Sequence, residues 1–76
     1  MNNHRRKQIS AIIEQLEELK IQVEQLFEEE SEAYENLPEG LQDSERGERI
    51  QDAINSLDYA VDSIGEVTDY LTEAIQ

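Results

Sequence analysis

Apolar residues recur along the first half of the chain with the seven-residue spacing of an amphipathic helix. If Ile9 is position a of a heptad, Leu16 and Val23 occupy the same position. Positions d and e are also apolar, so the stripe covers three positions per heptad, which is typical of a helix with more than one neighbour. Position d holds Ile12, Leu19, Leu26 and Ala33, and position e holds Ile13, Phe27 and Tyr34.

The second half of the chain repeats the same pattern in four tandem heptads that begin at Ile50. They read IQDAINS, LDYAVDS, IGEVTDY and LTEAIQ. Position a is large, position d is small (Ala53, Ala60, Val67 and Ala74), and position e is mostly β-branched. The small d residues predict close approach of another helix.

A single break separates the two periodic halves. Pro38 has no N–H and disfavours a helical residue before it, and Gly40 offers a position that tolerates positive φ. Asp43 and Ser44 are both good N-cap residues for a following helix. The break therefore predicts a connection between residues 36 and 44.

The predicted fold is all-α: an antiparallel two-helix hairpin, with helices of about 3–36 and 44–75, that forms a single domain over residues 1–76. Two helices cannot cover three apolar positions per heptad on both partners, so one flank would face water. A second copy would cover that flank in a four-helix bundle or coiled-coil dimer, and a foreign protein is the alternative. We expect the dimer seam to contain Ile13, Phe27, Ile54, Val61 and Ile75.

Charge placement favours the antiparallel arrangement. It would bring the basic residues 4–7 beside Asp69 and Glu73, and the arginines within 46–49 beside the acidic run 28–32. Exposed ion pairs of this kind contribute only about 0–1 kcal/mol each, so they select orientation more than they stabilise the fold.

The composition limits the chemistry available to the chain. Its 76 residues include no cysteine, which excludes disulfides and thiolate metal sites. No apolar run reaches the roughly 20 residues that a membrane-spanning helix needs. The first ten residues carry a basic patch without an apolar stretch after it, so we expect no signal peptide and a cytoplasmic location.

No set of residues has the spacing of a catalytic or metal site. His4 is the only histidine and lies near one end, and the serines have no base at nucleophile spacing. Carboxylate pairs such as Glu14 and Glu18 are expected on a hydrated helix face, where nothing would raise a pKa. The run EEESE lacks the oxygen spacing of a calcium loop. We therefore expect no enzyme activity, no cofactor and no bound metal.

The acidity of the chain points to a protein partner and away from nucleic acid. Nineteen acids face six bases, the net charge is −13, and no Lys or Arg follows Arg49. Direct phosphate binding would need a basic surface, so we expect none. A hairpin about 48 Å long would carry one net charge per ~4 Å, and a dimer one per ~2 Å, close to the ~1.7 Å of DNA.

Candidate contacts for a basic partner lie at positions b, c and f, away from the apolar stripe. On the second helix they are Asp52, Asp58, Tyr59, Asp62, Glu66 and Asp69. On the first helix they are Glu14, Glu17, Glu18, Glu24 and Glu28. The alternative is that the acidic residues bind no partner and serve only to keep the protein in solution.

Residues 35–64, ENLPEGLQDSERGERIQDAINSLDYAVDSI, resemble small acidic two-helix proteins carried by phages and integrative mobile elements of Gram-positive bacteria. The likeness lies in the NLPEGLQ turn, the SER helix start and the Asp/Ala/Ile heptads. No activity is established for such proteins. What the resemblance implies is context, because inhibitors of host defence, including anti-CRISPR proteins, are common among short accessory genes of mobile elements.

Two functional hypotheses from different classes follow. The first is a non-enzymatic inhibitor that blocks a basic protein, either one that handles nucleic acid or one that serves host defence. DNA mimicry is one way in which it could do so. The second is a structural oligomerisation or assembly module whose acidity only serves solubility. The first requires a basic target and salt-sensitive association, and the second requires binding to itself through the apolar stripe.

Overall fold

A computed structural model describes all residues from Met1 to Gln76, and the chain in it is all-helical with no strand. Helix α1 spans Asn3–Glu35, the short helix α2 spans Glu39–Gln42, and α3 spans Glu45–Ala74. The predicted all-α class and the break near the midpoint are confirmed, and each long helix ends within one residue of its predicted bounds. The sequence reasoning missed α2, because one turn of helix leaves no periodic signal.

Side chains at the N-terminal ends of both long helices satisfy main-chain N–H groups that the helix leaves unpaired. The Asn2 side chain accepts a hydrogen bond from the Arg5 N–H at 2.8 Å. Ser44, in an extended conformation, accepts one from the Gly47 N–H at 3.3 Å. Of the two N-cap candidates, Ser44 is therefore the cap of α3, while Asp43 ends α2.

The connection between the long helices contains no residue of positive φ. Pro38, the residue before α2, is extended (φ −55°, ψ 147°), and the chain then makes the single helical turn of α2. Gly40 lies inside that turn, and its tolerance of positive φ is not used. Two extended residues, Pro38 and Ser44, flank α2 and change the chain direction on either side of it.

Gly47 fixes the contact between the connection and α3. It is the only fully buried residue of the protein. A Cβ at this position would lie 2.6 Å from the Leu41 carbonyl oxygen and collide with the carbonyl of Gln42. The end of α2 can therefore rest on the first turn of α3 only because position 47 has no side chain.

The two long helices pack along each other over a molecule that measures 58 × 15 × 12 Å. Lys20 of α1 lies across from Gly65, with its Nζ 3.5 Å from where a Cβ of Gly65 would stand. Further along α1, Leu26 and Glu30 line an open groove together with Leu57. Residue numbers in these contacts rise along α1 and fall along α3.

Packing of α1 against α3 relies on apolar side chains, because no hydrogen bond or ion pair between side chains joins the two helices. The single ion pair, between Arg49 and Glu45 at 2.7 Å, lies within α3. The one side-chain hydrogen bond that spans more than four residues runs from Gln42 to the Tyr34 carbonyl at 3.3 Å. The expected cross-helix ion pairs are therefore wrong.

No helix of this chain combines the length and the apolarity that crossing a bilayer requires.

Candidate functional site

The helices face each other through positions a and e of the heptads. Every a residue and every e residue of both long helices is half-buried or, at Gly47, buried. This holds even where the side chain is polar, as for Lys20 and Thr68 at e. Burial at these positions therefore reflects the rotation of the helices and not the apolarity of each side chain.

The five residues expected in a dimer seam belong to this half-buried set. All of them occupy position e and are already half-buried in the single chain. They are Ile13, Phe27, Ile54, Val61 and Ile75. The flank that remains open to solvent lies on the side of position a that faces away from position e.

That open flank consists of position d and its neighbour g, and we call its part within residues 8–33 of α1 and 53–74 of α3 the uncharged face. Beyond this part the same positions hold Arg5, Arg46 and Arg49. The apolar residues of the uncharged face are unusually exposed: Leu19 by 50%, Leu26 by 53% and Val67 by 46%. On α1 the face holds Ile12, Leu19, Leu26 and Ala33 at d, with Gln8, Gln15, Gln22 and Glu29 at g. On α3 it holds Ala53, Ala60, Val67 and Ala74 at d, with Ser56, Ser63 and Tyr70 at g.

The acids lie on the opposite side of the rod, and we call the b, c and f positions there the acidic face. All of the predicted contact residues of α3 are exposed, as are those of α1 except Glu24, which is half-buried. None of these carboxylates forms an ion pair. The acidic face therefore presents unpaired negative charge over most of the length of the molecule.

The acids of α3 are spread along the helix axis at distances that a long partner surface could follow. Asp52 and Asp69 are 17 residues apart, which corresponds to about 26 Å of helix. Asp58, Asp62 and Glu66 lie between them, so a carboxylate occurs about every 6 Å along the axis.

The two tyrosines of α3 stand on different faces. Tyr59 is 74% exposed at position c among the acids, and Tyr70 is 70% exposed at position g of the uncharged face. Exposed tyrosine is enriched at protein–protein contacts because its ring supplies area and its hydroxyl a hydrogen bond. Tyr59 is therefore a candidate for the acidic contact, and Tyr70 for a contact of the uncharged face.

Hydroxyl and imidazole groups are placed without a partner for proton transfer. Ser31, Thr68 and Thr72 donate to carbonyl oxygens of the preceding helical turn at 2.8–2.9 Å. His4 is exposed in the first turn of α1. No group of three or more His, Asp or Glu side chains is arranged to hold a metal ion.

Comparisons with models of protein families, with curated proteins and with solved structures find no match for this chain.

Proposed function

We propose that the chain is a non-enzymatic, acidic protein-interaction module that binds and blocks a basic protein through its acidic face. In this proposal the two long helices form an antiparallel hairpin, two copies associate into a four-helix bundle, and the target handles nucleic acid. A mobile-element inhibitor of host defence, anti-CRISPR proteins among them, is the context we infer from the resemblance of residues 35–64.

The observation that carries this proposal is that most of the acidic side chains and most of the exposed apolar side chains lie on different sides of the molecule. Apart from Glu29 and Glu30, the acids of the long helices occupy the acidic face. All but Glu24 and Glu30 are exposed, and none forms an ion pair except Glu45 with Arg49. Acids that served only to keep the protein in solution would not need to leave one side of both helices free. Segregated charge of one sign is what steers a partner of opposite sign.

The dimensions of the rod support a likeness to DNA in charge density. With a net charge of −13 over 58 Å, one chain carries a net charge about every 4.5 Å. Two chains side by side would carry one about every 2.2 Å, against about 1.7 Å for the duplex. A groove that accepts DNA through Lys and Arg could therefore accept such a rod.

The antiparallel arrangement rests on the order of the contacts between helices. The pair Lys20 and Gly65 joins the middle of α1 to the later half of α3. The groove of Leu26, Glu30 and Leu57 joins a later part of α1 to an earlier part of α3. Side-by-side helices with contacts in this order run in opposite directions.

The competing hypothesis, a structural oligomerisation module, is favoured by one observation: the exposed apolar residues of the uncharged face. The two hypotheses differ in the sign of the salt effect. Binding of a basic target weakens as salt screens the attraction, whereas association of two acidic chains through apolar residues strengthens because salt screens their repulsion.

A pair of charge variants tests the proposal. The triple variant Asp58→Asn/Asp62→Asn/Asp69→Asn removes three charges from the acidic face of α3 and keeps the side-chain shapes. The control, Glu29→Gln/Glu39→Gln/Asp43→Asn, removes three exposed charges near the connection that lie off the acidic face, so both variants have the same net charge. Each chain is immobilised and exposed to the proteins of a bacterial lysate that DNA-cellulose retains, at low and high salt.

We expect the wild type to capture a basic protein at low salt, and the Asp variant to slow its association by about tenfold or more. The control should slow it less, because its charges lie outside the predicted contact. Equal binding by all three chains, unaffected by salt, would leave the acids with a solubilising role only. If both variants slowed association equally, binding would depend on net charge alone, and the assignment of the contact residues would be wrong.

A further inference from the structure

We infer that a second copy of this chain covers the uncharged face, with the two rods reversed so that α1 packs against α1 of the partner and α3 against α3. The inference rests on the self-association included in the proposed function, and it assigns the surface, the orientation and the residues that meet.

The isolated rod leaves an apolar strip uncovered. It buries no hydrophobic side chain fully, and its accessible surface is 5856 Å². A compact monomer of 8.8 kDa exposes about 4,800 Å². The excess, roughly 1,000 Å², is similar to the area that one partner loses in a standard protein–protein interface, about 800 Å².

The uncharged face has the composition of the centre of an interface. Of its fifteen residues only Glu29 is charged, although Arg5, Arg46 and Arg49 continue positions d and g beyond its two ends; a third of all residues in the chain are charged. At the average composition about five of the fifteen would carry a charge. Depletion of charge with retention of apolar and aromatic residues is the compositional signal of interface cores.

The shape of the face also suits a second copy. The rod presents a side of 58 by 15 Å, about 870 Å² in projection, close to the per-partner area of a stable complex. Both helices contribute d residues to it, so two such faces can meet and each helix gains a neighbour. The apolar residues at d would then lie in the middle of four helices, where a bundle builds its core.

The distribution of charge selects the reversed orientation. Residues 21–61, the half of the rod that contains the connection, hold twelve acids and two bases. The remaining residues, 1–20 and 62–76, hold seven acids and four bases. Placing both connections at the same end would bring the two most acidic halves together, and reversal separates them.

Reversal also determines which residues meet. A two-fold axis midway along the d residues of α1 pairs Leu19 with Leu26 of the partner subunit and Ile12 with Ala33 of the partner subunit. On α3 the small d residues, alanines and Val67, allow the second pair of helices to approach closely. The acidic faces remain outside, so the dimer keeps every predicted contact residue accessible.

Cysteine pairing tests the orientation directly, because the natural chain has no cysteine. Ile12→Cys and Ala33→Cys are prepared as separate chains, mixed, and oxidised under mild conditions. A disulfide needs Cα atoms about 4.4–6.8 Å apart, so only facing positions will join. We expect a mixed disulfide in the mixture and none in either chain alone. Homodisulfides in each single variant, or no mixed product, would overturn the reversed arrangement.

A second pair of variants tests the face itself and does not depend on oxidation. Leu19→Glu places a charge on the uncharged face, and Ile21→Glu places the same charge two residues away at position f, where Ile21 is 56% exposed. Sedimentation should show the wild type and Ile21→Glu as dimers at tens of micromolar. Leu19→Glu should weaken association by about a hundredfold or more, because a charge without a partner would be buried.

Helicity measured by circular dichroism shows whether each variant is folded before its mass is interpreted. A wild type that stays monomeric at tens of micromolar would overturn the inference and leave the face to a foreign protein. Equal weakening by Leu19→Glu and Ile21→Glu would overturn the assignment of the face. The dimer should also tighten as salt rises, opposite to the binding of a basic target, so failure of one is distinguishable from failure of the other.

Discussion

Replacement of Gly47 by alanine tests how closely the connection packs on the first turn of α3. A Cβ at this position would lie 2.6 Å from the Leu41 carbonyl oxygen and closer still to that of Gln42. Ordinary van der Waals contacts of a Cβ begin near 3.4 Å. Both obstacles are main-chain atoms, which cannot rotate away as a side chain could, so α2 must move by roughly 0.8 Å or more.

The expected loss of stability is the balance of three effects. Overpacking of this size costs about 1–3 kcal/mol. Movement of α2 disturbs Ser44, whose cap on the Gly47 N–H contributes about 1 kcal/mol. Alanine is better than glycine inside a helix by roughly 0.5–1 kcal/mol, which offsets part of the loss. The net loss is about 1–3 kcal/mol, or a melting temperature lower by roughly 5–20 °C for a domain of this size.

The two other glycines provide matched controls for this measurement. Gly40 has no atom within 4 Å of a would-be Cβ, and Gly65 has only the flexible end of Lys20 at 3.5 Å. Both lie in helices, so Gly40→Ala and Gly65→Ala should raise stability by about 0.4–1 kcal/mol. Urea unfolding at one fixed chain concentration separates the three variants. A Gly47→Ala chain as stable as the wild type would refute the close packing described here.

Two further substitutions probe the ends and the middle of the helical pair. Ser44→Ala removes the cap of α3 and should lower the free energy of unfolding, measured in urea, by about 0.5–2 kcal/mol. The control Ser10→Ala, in the interior of α1, should leave stability unchanged or raise it slightly. Equal effects of the two substitutions would contradict the capping role of Ser44. Lys20→Met keeps the half-buried stem and removes a charge that has no ion-pair partner, so it should raise stability by about 0.5–1 kcal/mol at high salt. The gain should shrink at low salt, where losing a cation from an acidic chain costs more, and a larger gain at low salt would contradict this.

The positions of the helices followed from the sequence, but their rotation did not. Three apolar positions per heptad define a wide stripe, and two helices alone can cover only part of it. Leu19 at d and Lys20 at e show the consequence: the apolar side chain is half exposed, while the charged one lies between the helices. A rotation of the helix by part of a turn would exchange them, and the apolar pattern is compatible with either.

The connection illustrates a second limit of sequence reasoning. Pro38 and Ser44 act through local chemistry, a missing N–H and a side-chain acceptor, and their roles could be predicted. The roles of the glycines could not, because Gly47 is required by the approach of the Gln42 carbonyl at the end of α2. Its importance depends on how α2 packs on the first turn of α3, which the apolar pattern does not show.

The site could be predicted only as far as it depends on helical period. Acids at b, c and f were expected to be exposed, and the structure places all but Glu24 so. The scarcity of acids at g was a readable signal as well: Gln15, Gln22 and Ser63 flank the d residues, and Glu29 is the one acid at this position. The sequence alone did not show that position g belongs to the exposed flank, because this depends on the rotation of the helices.

The two faces make the proposed functions dependent on one another. A single rod is too sparsely charged to imitate a duplex, with a net charge about every 4.5 Å against about 1.7 Å. Association through the uncharged face doubles that density without covering an acidic contact residue. Leu19→Glu should then weaken target binding although the target never touches Leu19, and it should do so despite adding an acid. If Leu19→Glu abolished the dimer yet bound a basic target as fast as the wild type does, the charge density of the pair would be irrelevant to recognition.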